Sequence, residues 1–215
     1  MENFARYYTR QLVTFAPQPG SRSTTLVPDL AAGLAKVSDG GTTYTYTLRD
    51  GITWEDGSPI TSQDIKYGIE RNWASDVVSG GPARLQTVLD PQKTKDQDPQ
   101  KLGLRAVETP DSKTIVFHLP EPNGDFEEML ALPMASPVKR ERGTGSVYEL
   151  RPFSSGPYKL DSYDPHHELV LVRNEHWNEE SDRIRPALPD RIDVTFVPNA
   201  NDMDKRLLSG ESTSP

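Results

Sequence analysis

The stretch "GTTYTYTLRDGITWEDGSPITSQDIKYGIERNW", from Gly41 to Trp73, changes its hydrophobic period partway along. From Thr43 to Leu48 polar and apolar residues alternate, which sets Tyr44, Tyr46 and Leu48 on one face of a half-buried strand. After Ile60 the apolar positions become Ile65, Ile69 and Trp73, spaced by four along one face of a helix. The turn-rich "EDGSP" separates the two. Thr61 ahead of the helix, with Asp64 three residues on, resembles a capping box with Asp in place of Glu or Gln. A strand and a helix set so close together point to a mixed fold.

The rest of the chain repeats that theme. Phe4, Tyr8, Leu12 and Phe15 recur at helical spacing and predict an N-terminal helix that "PQPG" ends. "VPDLAAGLAKVSDGG" predicts a short helical turn, then a strand that Asp39-Gly40-Gly41 folds back onto Thr43–Leu48 as a hairpin. Residues 75–103 read as a long polar loop. Strands are predicted at Leu104–Glu108 and Thr114–Leu119, and Asp125 caps a short helix, "FEEMLAL", that Pro133 stops. Further strands fall at Tyr158–Tyr163, Glu168–Arg173 and Arg191–Val197. A last helix begins near Asn201, with Met203, Leu207 and Leu208 on one side and Gly210 at its C-cap. The class is therefore α+β, with mainly antiparallel sheets and short helices.

Composition and motifs exclude several functions. The 215 residues suffice for one large domain or two small ones. A net charge of -8 with no basic run argues against nucleic acid as a partner. The absence of cysteine removes thiolate metal sites, disulfides and Cys nucleophiles. No apolar run approaches the ~20 residues of a membrane span. "MENFARYYTRQ" lacks the basic and apolar regions of a signal peptide.

His118 lies on an alternating strand opposite Ile115 and Phe117, and His166-His167 and His176 form no helical i, i+4 pair, so no metal site is read. Glu127-Glu128 is expected to face solvent at a helix N-terminus. "GTGSV" at Gly143–Val147 lacks the third glycine of a dinucleotide loop, and neither GxSxG nor a P-loop occurs. Trp54, Trp73 and Trp177 read as core residues rather than ligand platforms. No catalytic residue and no cofactor are expected.

"PDLAAGLAKVSDGGTTYTYTLRDGITWEDGSPITSQDIKYGIER" resembles the opening signature of the peptide-type (family 5) extracellular solute-binding proteins of bacterial ABC importers. "SSGPYKL" and "LVRNEHW" are similar to that family's GPY strand and its continuation, and "IDVTFVPNANDMDKRLLSGE" to a following strand and helix. The three matches are in order and span residues 28 to 211.

The resemblance implies an incomplete, periplasmic-binding-protein-like (class II) lobe, the N-terminal one of two that close on a ligand by hinge motion. Within it, about 1–60 and 150–215 would form the core sheet part and about 61–149 an inserted subdomain. It implies reversible capture of di- and oligopeptides outside the cytoplasmic membrane, on a cell-surface lipoprotein or in the periplasm, and delivery to membrane permease subunits. Three pieces of the lobe would approach the ligand: Asn3; Pro82, Ala83, Arg84 and Leu85; and Leu132 to Ser136, including Met134. Arg84 is the residue suited to a ligand carboxylate. Alternatives are a nickel or metallophore receptor of the same family, and a lone lobe that acts as a protein-interaction module. A lobe without its partner would leave a sheet edge and the face of Phe4, Tyr8, Leu12 and Phe15 to be covered, by a homodimer among other means.

Overall fold

In the computed structural model, residues 4–74, 83–90, 103–197 and 199–212 are described. A short helix, α1 (Ala5–Tyr8), leads into strands β1 (Val13–Phe15), β2 (Leu26–Pro28), β3 (Lys36–Ser38) and β4 (Thr43–Thr47). Helices α2 (Ser62–Glu70) and α3 (Arg84–Leu89) follow, then β5 (Val107–Glu108), β6 (Thr114–His118) and α4 (Phe126–Leu130). The chain ends with β7 (Tyr158–Asp164), β8 (Glu168–Arg173), β9 (Arg191–Thr195) and α5 (Ala200–Ser209). Three antiparallel sheets result, in the orders β1-β2, β3-β4-β6-β5 and β7-β8-β9.

The period switch is realised as read. Asp39, Gly40 and Gly41 all take positive φ, which turns β3 back into β4. Tyr44, Tyr46 and Leu48 are buried, and Tyr44 and Tyr46 stand opposite Phe117 and Ile115 of β6. The rings of Tyr44, Tyr46, Phe117 and Phe126 meet edge to face at centroid distances of 5.0 to 6.1 Å, the arrangement that ring quadrupoles favour. Thr61 and Asp64 close a capping box at the start of α2, which buries Ile65 and Ile69. Gly68 lets α2 lie directly on the 136–138 segment, because a Cβ there would collide with the Ser136 carbonyl oxygen. Val138 N–H donates to Asp64 O at 3.1 Å across the same contact.

Two expectations change. The N-terminal helix stops at Tyr8, and Leu12 and Phe15 lie in or beside β1, which pairs with β2. The helical spacing there arises by coincidence from a one-turn helix with no side-chain cap, followed by a strand. Glu127 does not simply face solvent: its Oε1 accepts from Tyr46 OH at 2.8 Å and from Ala35 N–H at 3.2 Å, while Glu128 is exposed. Strand β4 pairs with β6 along its whole length. The apolar cores divide into a large cluster running from Leu12 to Ala135 and a small one of Ala5, Tyr8, Tyr158, Leu169, Leu171 and Ala187. Tyr8 and Leu12 are covered by the chain itself.

Candidate functional site

An open groove of about 400 Å³ lies where α3 meets α4, lined by Ala83, Arg84, Thr87, Val88, Asn123 and Met129. Each wall is set by what its element buries. Helix α3 turns Leu85 and Leu89 into the large core, which leaves Arg84 and Thr87 outward. Gln86 Nε2 donates to Asn72 O at 2.7 Å, and Trp73 Nε1 to Asp90 Oδ2 at 3.2 Å, so the helix is pinned along its length. Helix α4 buries Phe126 and Leu130 and presents Met129 half-buried. Tyr44 OH holds the turn before it by donating to Asn123 O at 3.0 Å. Among the described residues Arg84 makes no ion pair and no side-chain hydrogen bond, so the groove carries an uncommitted cation between apolar and amide walls.

Arg84 and Ala83 line the groove. Leu85 lies beneath it, fully buried. Asn3 and Pro82 fall outside the described residues. Met134 and Ser136 sit in the neighbouring segment, not in the groove lining. Asn72 links the two places, since its Nδ2 donates to Met134 O at 2.9 Å while its carbonyl holds Gln86. Ser136 Oγ accepts from Gln11 Nε2 at 2.8 Å. Asn123, Met129, Thr87, Val88 and Gln11 were not singled out in the sequence. The Asn123-Gly124 turn before an apolar helix was the one available signal for that wall.

A second polar assembly lies at the joint between the two cores. Arg10 and Arg185 face Asp29 and Asp182, all four buried. Arg10 Nε lies 2.7 Å from Asp29 Oδ1, Arg185 Nη2 2.7 Å from Asp29 Oδ2, and Arg185 Nη1 3.1 Å from Asp182 Oδ2. Arg10 also donates to Ser181 O at 2.7 Å, and Trp177 Nε1 to Asp182 Oδ2 at 3.1 Å. Burial alone would raise the Asp29 carboxyl, but the guanidinium groups of Arg185 and Arg10 outweigh it and hold the group below its ordinary value. Burial would likewise depress Arg185, and the Asp29 and Asp182 carboxylates hold it above its usual value.

Beside this quartet the "SSGPY" segment receives the N-terminal strand end. Ser154 Oγ donates to Tyr8 O at 2.8 Å, and Ser155 Oγ accepts from Arg10 N–H at 3.0 Å. A Cβ on Gly156 would stand 2.9 Å from Tyr7 O, so only glycine permits the approach.

His118 is half-exposed beside Glu108 at 3.5 Å, and His167 pairs with Asp164 in an exposed turn. Among the described residues no group of three or more His, Cys, Asp or Glu has the arrangement to hold a metal ion. Trp54 is fully buried, with the Phe153 ring 5.8 Å away, and among the described residues no helix is long and apolar enough to cross a membrane.

The described residues thus form three antiparallel sheets with an open groove where α3 meets α4. Residues 25–214 match the family of bacterial extracellular solute-binding proteins, family 5 (middle), and the chain belongs to that family. It is 26% identical over 191 residues to the oligopeptide-binding protein OppA of Bacillus subtilis, a match covering 84% of this chain and 33% of OppA. It is 31% identical over 156 residues to protein XP55 of Streptomyces lividans, covering 71% of this chain and 25% of that one. Among solved structures it superposes on the clavulanic acid biosynthesis oligopeptide binding protein 2 with a TM-score of 0.89 and 42% identity, over 98% of this chain and 38% of that one. The chain therefore spans about a third of the length of these relatives.

Proposed function

We propose that this chain is the binding lobe of a receptor that captures peptides outside the cytoplasmic membrane and hands them to the permease of an ABC importer. The observation that carries the reading is the groove with Arg84 in its lining, which makes no ion pair among the described residues. A guanidinium in that position is suited to a carboxylate by charge-assisted hydrogen bonds. Val88 and Met129 give an apolar surface beside it, and a thioether adapts to varied side chains. Asn123 supplies both a donor and an acceptor for peptide groups. The likeness over 98% of this chain to an oligopeptide binding protein supports the same reading.

In this reading Leu85 seats α3, while Met134, Ser136 and Asn3 border the ligand further along. A second lobe completes the site and closes over it, so binding is reversible and no bond of the ligand is broken. Uptake energy comes from the ATPase partners.

Calorimetry with a mixture of di- to pentapeptides tests the proposal. The 215-residue chain alone is expected to give no saturable heat, because half the contacts are missing while the entropy of association is still lost. A protein carrying this lobe and a second one is expected to bind. In it Arg84→Gln should weaken binding roughly tenfold, as loss of a charge-assisted hydrogen bond predicts. Submicromolar binding by the lone chain overturns the two-lobe argument, and an unchanged affinity in Arg84→Gln removes the groove from the site.

A further inference from the structure

Asn123 is the one asparagine in the sequence that precedes a glycine, and the turn it occupies is arranged for reaction with its own backbone. Gly124 is exposed, and nothing lies within 4 Å of the position its Cβ would take, so no neighbour hinders movement of the peptide. Among the described residues the Gly124 N–H has no hydrogen-bond acceptor, so its proton is open to solvent base. The side-chain oxygen of Asn123 is differently placed: Asn123 Oδ1 accepts from the Asp125 N–H at 3.0 Å. A donor on that oxygen polarises the Cγ carbonyl and stabilises the negative charge that forms there when Cγ is attacked, as an oxyanion-hole donor does. The Asn123 carboxamide nitrogen, which must leave, makes no hydrogen bond among the described residues.

We infer that Asn123-Gly124 is a site of spontaneous deamidation in the folded protein, which converts a neutral wall of the groove into an acidic one. Base removes the Gly124 amide proton, and the nitrogen forms a bond to Asn123 Cγ. The tetrahedral adduct then expels the side-chain nitrogen as ammonia and leaves a five-membered succinimide. Water opens either carbonyl of that ring and yields aspartate or isoaspartate, with no oxidant or second substrate. The product carries one additional negative charge in the groove that Arg84 lines. The isoaspartate form also inserts a methylene into the main chain at the carbonyl that Tyr44 OH holds. The modification therefore changes the charge and shape of one surface without touching the core sheets.

The test holds the purified chain at 37 °C in parallel at pH 6 and pH 8.5, folded in buffer and unfolded in concentrated urea. Peptide mapping by mass spectrometry follows the one-dalton gain, and an isoaspartate assay identifies the product. A gain localised to residue 123 is expected in the folded sample, faster at the higher pH and within about tenfold of the unfolded rate. Gly124→Ala should slow it roughly tenfold, because a Cβ restricts the backbone the attack requires. A folded rate more than a hundredfold below the unfolded one, with circular dichroism showing native structure, overturns the inference. So does a gain that maps first to another asparagine.

Discussion

The large core and the joint beside it are held by opposite means. Between β4, β6 and α4 the buried surface is aromatic and aliphatic, and polar groups enter only at its rim, as Tyr46 OH does against Glu127. At the joint eight buried side chains are polar: Arg10, Asp29, Ser154, Ser155, Asn174, Ser181, Asp182 and Arg185. An apolar core rewards volume and tolerates small rearrangements. A buried ion network adds little net stability over an apolar replacement, yet it is strongly damaged when one partner goes. The difference teaches that bulk is secured in one region and orientation in the other. The joint sets how the β7-β8-β9 sheet stands against the groove-bearing part.

The sharpest break of that contrast is Asp29→Asn. It leaves Arg10 and Arg185 sharing Asp182, and is expected to cost about 3–5 kcal/mol in a urea titration. Replacing Arg10, Asp29, Asp182 and Arg185 together by apolar residues of like volume should cost far less than the single change. A loss below about 1 kcal/mol in Asp29→Asn would show a solvated joint. Acid gives the same information without mutation. The Asp29 carboxyl lies below its unfolded value, so its contribution is complete above about pH 4 and fades as pH falls through the lower folded value. Acid unfolding of the parent should therefore lose more stability below pH 4 than that of Asp29→Asn.

Next comes Tyr46→Ala in the large core, expected to cost about 3 kcal/mol or more through the cavity it leaves. Gly68→Ala follows, with two opposed effects. Alanine favours a helix by about 1 kcal/mol over glycine. Contact with Ser136 O is expected to outweigh this and give a net loss of about 1–2 kcal/mol. A gain in stability would mean that α2 and the 136–138 segment separate easily. The smallest effect on folding belongs to Arg84→Gln, within about 0.5 kcal/mol, since an exposed side chain contributes little.

The sequence was most legible where one period runs unbroken and its ends carry caps. Gly41 to Trp73 holds two such runs, one on each side of "EDGSP", and its hairpin, buried tyrosines, capping box and helix all stand where the pattern put them. The last helix was readable for the same reason, with Asn199 accepting at its start and Gly210 left-handed at its end. The N-terminus misled because Phe4, Tyr8, Leu12 and Phe15 keep helical spacing across a change of structure. The buried quartet was invisible to pattern reading, which places charged residues outside. Nothing local marks Arg10 as buried, because the carboxylates that accept it come from residues 29 and 182. The groove was half legible: family likeness pointed to Arg84, whereas Asn123 and Met129 reach it only through the packing of α4 on the tyrosine strand.

The long reach of Arg10 has a consequence for the order in which the lobe is made. The Tyr46–Glu127 hydrogen bond spans 81 residues, and the Arg10–Ser181 bond 171. At roughly 5–20 residues per second of synthesis, Tyr46 waits about 4–16 s for its acceptor to be translated. Arg10 waits about twice as long. Through that interval the large core can condense, while the segment before it remains without the Ser181 and Asp182 groups that later enclose it. A cation there keeps the waiting segment hydrated, where a leucine would seek any apolar surface in reach. The charge hidden in the finished fold is thus a hydrated one in the unfinished chain.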